Sequence, residues 1–208
     1  MNIRHISQLA LASALLLSVA PSTLAAPQAF DFKDPKGVNN AIFKTDAPLE
    51  SINGAANGIS GKVTFDPANP AATKGTIIVA ANSLTVPNKM MNEHLFSPMW
   101  LEVAKYPDIT FEVKELKNVK TTGDNTSADA VGTFSLHGVA KEMTVPVKLS
   151  YLKDKLGQRV PNMKGDLLVI RANFQLKRGD FKINAGNGED KVSNDIDLSL
   201  SIAGASPK

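Results

Sequence analysis

The chain has no cysteine. That excludes disulfides, a thiol nucleophile, a cysteine-ligated metal and a cysteine-borne lipid anchor, so the fold rests on its core alone. Histidine is nearly as scarce, with three in 208 residues, and none falls in HxH, HxxxH or HExxH spacing. No metal site is written in that pattern. A GxSxG elbow and a phosphate-binding glycine loop are also missing, which leaves hydrolase and nucleotide chemistry without a motif. Charge of one sign is lacking too. The 23 Lys and Arg stand against 20 Asp and Glu for a net +3, scattered rather than blocked, so nucleic acid is not an expected partner. No apolar run reaches the roughly 20 residues of a membrane-spanning helix.

The first residues have the form of a cleavable export signal. Arg4 and His5 precede the apolar run Leu9 to Ala20, and small residues follow at Ser22 to Ala26. Pro27 would obstruct a cut just before it, which places cleavage after Ala25 and leaves 26–208 as one domain. Export without disulfides points to a bacterial periplasm or secretion.

What is abundant is alternation. Ile109, Phe111 and Val113 alternate with Thr110, Glu112 and Lys114, and Ala130, Phe134 and Leu136 form the next stripe. Met143, Val145, Val147, Leu149 and Tyr151 follow, then Leu168, Ile170, Ala172, Phe174 and Leu176, then Ile196, Leu198, Leu200 and Ile202. Each has one wet and one dry face, the mark of antiparallel sheet. Shorter strands are expected at 29–32, 41–45, 52–56, 61–65 and 76–84. Asn57-Gly58 and His137-Gly138 read as tight turns, and Thr121 to Ser127 as a polar loop. Pro146, facing outward, implies an edge, a bulge or a strained pairing. About eight such strands close into an up-and-down barrel, with a two-sheet sandwich as the alternative.

Asn92 to Phe111 interrupts this pattern. Met90, Met91, Leu95, Met99, Trp100 and Val103 recur at helical spacing, Pro98 suits a helix start, and Tyr106-Pro107 ends the stretch. A helical insertion over residues 90–104 is expected to act as a lid.

The inward stripes are apolar, with Phe43, Phe111, Phe134, Leu136, Met143, Val145, Ile170 and Phe174 as the wall and Met90, Met91, Leu95 and Trp100 under the lid. Taken alone, such stripes describe a plain packed core. A resemblance adds to them. Ile52-x-Gly54, Ser60-Gly61-Lys62-Val63-Thr64-Phe65-Asp66, Ser83-Leu84, His94-Leu95 and Val103-Ala104-Lys105-Tyr106-Pro107-Asp108-Ile109-Thr110-Phe111 resemble motifs of the YceI-like family of polyisoprenoid-binding, lipocalin-like envelope proteins. So do Gly132-x-Phe134-x-Leu136-x-Gly138-Val139-x-Lys141 and Arg178-x-Asp180-Phe181, in the same order.

The resemblance implies an all-β, extended antiparallel eight-stranded lipocalin-like barrel. Its pocket would take a long-chain isoprenoid or other amphiphilic lipid, with transient membrane contact, no cofactor and no catalytic residue. Where relatives carry charge at the lid, this chain has Met91-Asn92, Phe96 and Met99-Trp100-Leu101-Glu102, and Val38-Asn39 replaces an early His-Ser. That greasier lid points toward a quinone, a fatty amide or an uncharged lipid. Lys89, His94 and Arg178 are the candidate head-group contacts. Arg178 and Asp180 are expected to form an ion pair fixing a turn, and His137 to be a turn residue. Three readings stay open beside lipid binding. One is a solid-cored envelope structural or stress protein, the second a small hydrolase or isomerase using His94 with Glu93, and the third, as to assembly, a homodimer.

Overall fold

In the computed structural model, residues 26–208 are described; the expected signal, 1–25, lies outside them. The strands are β1 (Gln28–Asp31), β2 (Asn40–Asp46), β3 (Ser51–Ala56), β4 (Ile59–Phe65), β5 (Lys74–Ala80), β6 (Leu84–Thr85), β7 (Asp108–Thr122), β8 (Asn125–Leu136), β9 (Val139–Leu152), β10 (Gly165–Lys177) and β11 (Asp195–Pro207). Helices α1 (Lys89–Phe96) and α2 (Leu156–Arg159) interrupt them. The order β1-β4-β5-β7-β8-β9-β10-β11 returns to β1, so eight antiparallel strands form a closed barrel.

Closure is shared between two strands. The C-terminal part of β11 meets β1 at the pair Asp31 and Ala205, while its N-terminal part pairs with β2 from Asp197 to Ser201. β2 carries β3, and β3 carries β6, as a flap on the upper rim. The long hairpins follow from their turns. His137 and Gly138 both take positive φ, 51° and 72°, the geometry of a two-residue turn whose twist matches the strands it joins.

Several sequence expectations are corrected. The polar loop at Thr121 to Ser127 is mostly strand, leaving only Gly123 and Asp124 as the turn. Thr121 and Thr126 face each other with hydroxyls 3.0 Å apart, a cross-strand threonine pair suited to sheet. The strand expected over 76–84 stops at Ala80, where a 3-10 turn at Ala81–Ser83 redirects the chain to pair with β3. Gly58 has no positive φ; a Cβ there would lie 2.7 Å from Ser83 Cβ, so space rather than turn geometry calls for glycine.

Pro146 stands where expected for a ladder's end. β9 pairs with β10 only from Val147 to Leu152, and the missing N–H falls just where that ladder stops. The gap beyond it is filled by the segment after β10. Phe181 packs on Phe134 at 5.5 Å between ring centroids, and its carbonyl is bonded by the ring Nδ1 of His137 at 3.0 Å.

The helix is displaced from its expected place. α1 begins at Lys89, capped by the Asn88 carboxamide, which accepts from the N–H groups of Met90 and Met91. Pro98 lies past its end, not at its start. Ser97 is extended, ψ 164°, as the residue before a proline must be, and that stops the helix.

Candidate functional site

The barrel is hollow. Its lower end is sealed by aromatic packing, with Tyr151 6.2 Å from Phe30 and 6.0 Å from Phe65 between centroids. Phe30, Phe32, Phe65 and Leu168 are fully buried there, each stabilising by about 1.5–3 kcal/mol on leaving water. Above them lies a cavity of about 440 Å³ with an almost wholly apolar wall. That volume is within the roughly 300–1,000 Å³ of small-molecule sites.

Ten of the twelve apolar residues expected at the site line this cavity: Phe43, Met91, Leu95, Trp100, Phe111, Phe134, Leu136, Val145, Ile170 and Phe174. Phe134 links Phe111 at 6.5 Å and Phe174 at 6.1 Å into a run of rings along one wall. Two expectations fail. Met90 points outward from α1 and is 66% exposed, because an eight-residue helix offers one inward face and Met91 and Leu95 occupy it. Met143 packs into the cluster around Phe181 under the lid instead of facing the cavity.

The head-group candidates separate as well. Lys89 is exposed and away from the cavity wall, whereas His94 is exposed at its rim. No hydrogen bond or ion pair joins Glu93 to His94 among the described residues. Arg178 lines the cavity but is buried, and its expected ion pair with Asp180 does not form. Asp180 pairs with Lys141 at 3.0 Å instead.

All five N–H groups of Arg178 go to backbone carbonyls: Nε to Ser193 (3.1 Å), Nη1 to Ile183 (2.9 Å) and Asn184, and Nη2 to Asn187 (2.7 Å) and Val192 (3.0 Å). Its guanidinium lies 5.5 Å from the Trp100 ring centroid. Burial pulls its pKa down from the usual value, yet guanidinium keeps its charge. The side chain is the hub of the loop between β10 and β11, with no N–H left over.

α1 has no buried residue and is tied to its flanks: the Asn92 carboxamide bonds both the N–H (2.7 Å) and the carbonyl (3.2 Å) of Val86, and the Leu101 and Val103 N–H groups donate to the carbonyls of Leu95 (3.1 Å) and Phe96 (3.2 Å). Elements with so little burial open most readily.

Sequence reasoning missed the polar part of the mouth. Thr45, Glu50 and Lys191 line the cavity, and Thr45 stands on the same face of β2 as Ala41 and Phe43. The inward stripes are therefore not purely apolar. The period of two, run on from Ala41 and Phe43, reaches Thr45.

The sequence model of the YceI-like domain matches residues 36–203. The chain belongs to the YceI-like family. A UPF0312 protein of Yersinia pestis (strain Pestoides F) is 34% identical to this YceI-like chain over 157 residues, covering 76% of it and 75% of that relative. The crystal structure of Campylobacter jejuni YceI is similar with a TM-score of 0.60 at 24% identity, over 74% of this chain and 85% of that one. A structure described as a polyisoprenoid binding domain from Saccharophagus degradans, implicated in plant cell wall breakdown, is similar with a TM-score of 0.62 at 13% identity, over 88% and 100%. At such identities the two structures show a shared fold, that of the YceI-like barrel.

Proposed function

We propose that the protein binds a long-chain isoprenoid or related amphiphilic lipid, such as a polyprenol, quinone or fatty amide, and carries or stores it without chemical change. The observation that supports this best is the apolar cavity, sealed by rings below and covered above by a helix with no buried residue. Family membership and the polyisoprenoid-binding description of the Saccharophagus domain support the same reading. Residues 1–25 act as an export signal, and the protein works in the periplasm, in passing contact with a membrane.

Tail burial does not limit such binding. At about 0.8 kcal/mol per CH₂, a twenty-carbon tail would gain on the order of 16 kcal/mol leaving water, close to the ceiling of roughly 18–21 kcal/mol where affinities saturate. Measured against a bilayer, the same tail gains almost nothing, so loading and unloading are near balance. Solvent extraction and mass spectrometry of the purified protein are expected to release such a lipid. Preparations that are repeatedly lipid-free, and take up no added prenol, quinone or fatty amide, would overturn the reading.

A further inference from the structure

The polar atoms of the cavity wall are not equivalent. Thr73 is buried, but its hydroxyl is used locally, donating to the Pro70 carbonyl at 2.6 Å. Arg178 has all of its N–H groups bonded to carbonyls. Thr45 differs: it is 4% exposed, it lines the cavity, and its Oγ1 has no hydrogen-bond partner. A buried hydroxyl left without a partner is a standing cost to the fold, and native chains keep few of them.

Its position is as informative as its isolation. Thr45 pairs with Ile52 near the tip of the β2–β3 hairpin, at the lid end of the barrel. The tip is fixed there, because the Leu49 N–H donates to the Asp190 carbonyl at 2.9 Å. Glu50 and Lys191 line the same mouth, one acid and one base, and neither is in an ion pair among the described residues. Glu50 and Lys191 offset each other in charge, the Arg178 guanidinium has no N–H left to give a phosphate, and the Glu50 carboxylate repels one.

We propose that Thr45 is the head-group anchor of the cavity, hydrogen-bonding an uncharged oxygen function, hydroxyl or carbonyl, of a lipid whose tail runs down toward Phe65 and Tyr151. This rests on the lipid-binding reading above and deepens it in two ways. It fixes the ligand's direction, head under α1 and tail toward the sealed end. It also selects neutral oxygen heads over pyrophosphates, since a hydroxyl both donates and accepts but neutralises nothing.

The test uses the delipidated protein with three probes of matched tail: geranylgeraniol, geranylgeranyl pyrophosphate and the hydrocarbon phytane. The native chain is expected to prefer the alcohol over the hydrocarbon by about tenfold, the order of one net hydrogen bond, and to bind the pyrophosphate no better than the alcohol. Thr45→Val removes the hydroxyl and keeps the shape, so the alcohol preference should vanish while phytane binds as well as before or better. Thr45→Ser should retain the preference. Melting of ligand-free Thr45→Val is expected at or above the native temperature, because the variant loses an unpartnered polar group. If Thr45→Val does not fold, Thr45→Ala removes the same hydroxyl and should lose the alcohol preference in its place; an alcohol preference that survives the loss of the hydroxyl overturns the assignment. A native chain that binds alcohol and hydrocarbon equally, or prefers the pyrophosphate, overturns the Thr45 assignment while lipid binding stands. A native chain that binds none of the three removes the lipid-binding reading itself.

Discussion

The Asn39 side chain pairs with the Ala203 backbone as a strand residue would. Its Nδ2 donates to the Ala203 carbonyl at 3.1 Å, and the Ala203 N–H donates to its Oδ1 at 2.9 Å. This occurs where β11 passes from β2 to β1, so one carboxamide bridges the gap at 202–204 between its pairings with the two strands. The same group also bonds the Phe32 carbonyl (3.0 Å) and accepts from Arg159 (3.0 Å). Asn39→Ala would strand several backbone groups at a site 1% exposed, and a loss of about 3 kcal/mol in urea-unfolding free energy is expected. Asn39→Asp should be no better, because a carboxylate would face two carbonyl oxygens. Equal midpoints for Asn39→Asp and the native chain would contradict the bridging role.

Arg178 supports a prediction about the loop rather than the ligand. An ammonium offers three N–H groups where the guanidinium offers five in a fixed fork, so Arg178→Lys leaves at least two carbonyls unserved. A loss of roughly 2–3 kcal/mol in stability is expected, with faster amide exchange across 183–193. Hydrogen-exchange mass spectrometry reads this directly. Unchanged exchange there would mean that the loop is held by something else.

Acid sensitivity should arise at the sealed end. Burial pushes the Asp166 carboxyl up, but the Asp154 N–H, the Lys208 ammonium and the Tyr151 hydroxyl together outweigh it and hold the group below its ordinary range. Asp34 behaves alike: burial raises it, and the N–H groups of Asn39, Lys36 and Val38 with the Arg159 guanidinium bring it lower. A carboxyl depressed in the folded state contributes stability that is complete above its unfolded value, about 3.9, and is lost as pH falls through the folded value. Urea midpoints should therefore be flat from neutral pH to about 5 and drop below about 4. Asp166→Asn should lower the midpoint at neutral pH and make that acid drop shallower; an equally steep drop would count against the Asp166 network as its source.

The long strands were legible because a sheet with one dry face imposes a period of two, and the runs around Phe111, Phe134, Val145, Ile170 and Leu198 keep it. What escaped was set by contacts distant in sequence. Pro98 fits both a helix start and the position after a helix end, and only the Asn88 cap decides between them. Thr121 to Ser127 looks like loop by polarity, but its threonines pair across a hairpin. The ion pair expected of Arg178 and Asp180 rested on nearness in sequence, whereas the carbonyls Arg178 bonds come from a loop without a motif. Thr45 shares its phase with Phe43, yet a polar side chain is easily assigned to the wet face.

Room for a tail and stability of the barrel can be separated at β10. Ala172 is buried in β10, paired with Val147 and Leu200, and its methyl faces the cavity. Ala172→Phe would extend a ring into space that is already apolar, so no polar group is stranded and the void contracts. Small-to-large changes harm tightly packed cores, but here the added atoms have a cavity of about 440 Å³ to enter. The variant is expected to melt at or above the native temperature while uptake of an added prenol falls at least about tenfold, as the ring replaces the tail's own contacts. Lys148→Ala, on the exposed face of neighbouring β9, is the control and should change neither quantity. Undiminished uptake by a well-folded Ala172→Phe protein would place the lipid elsewhere than along β10.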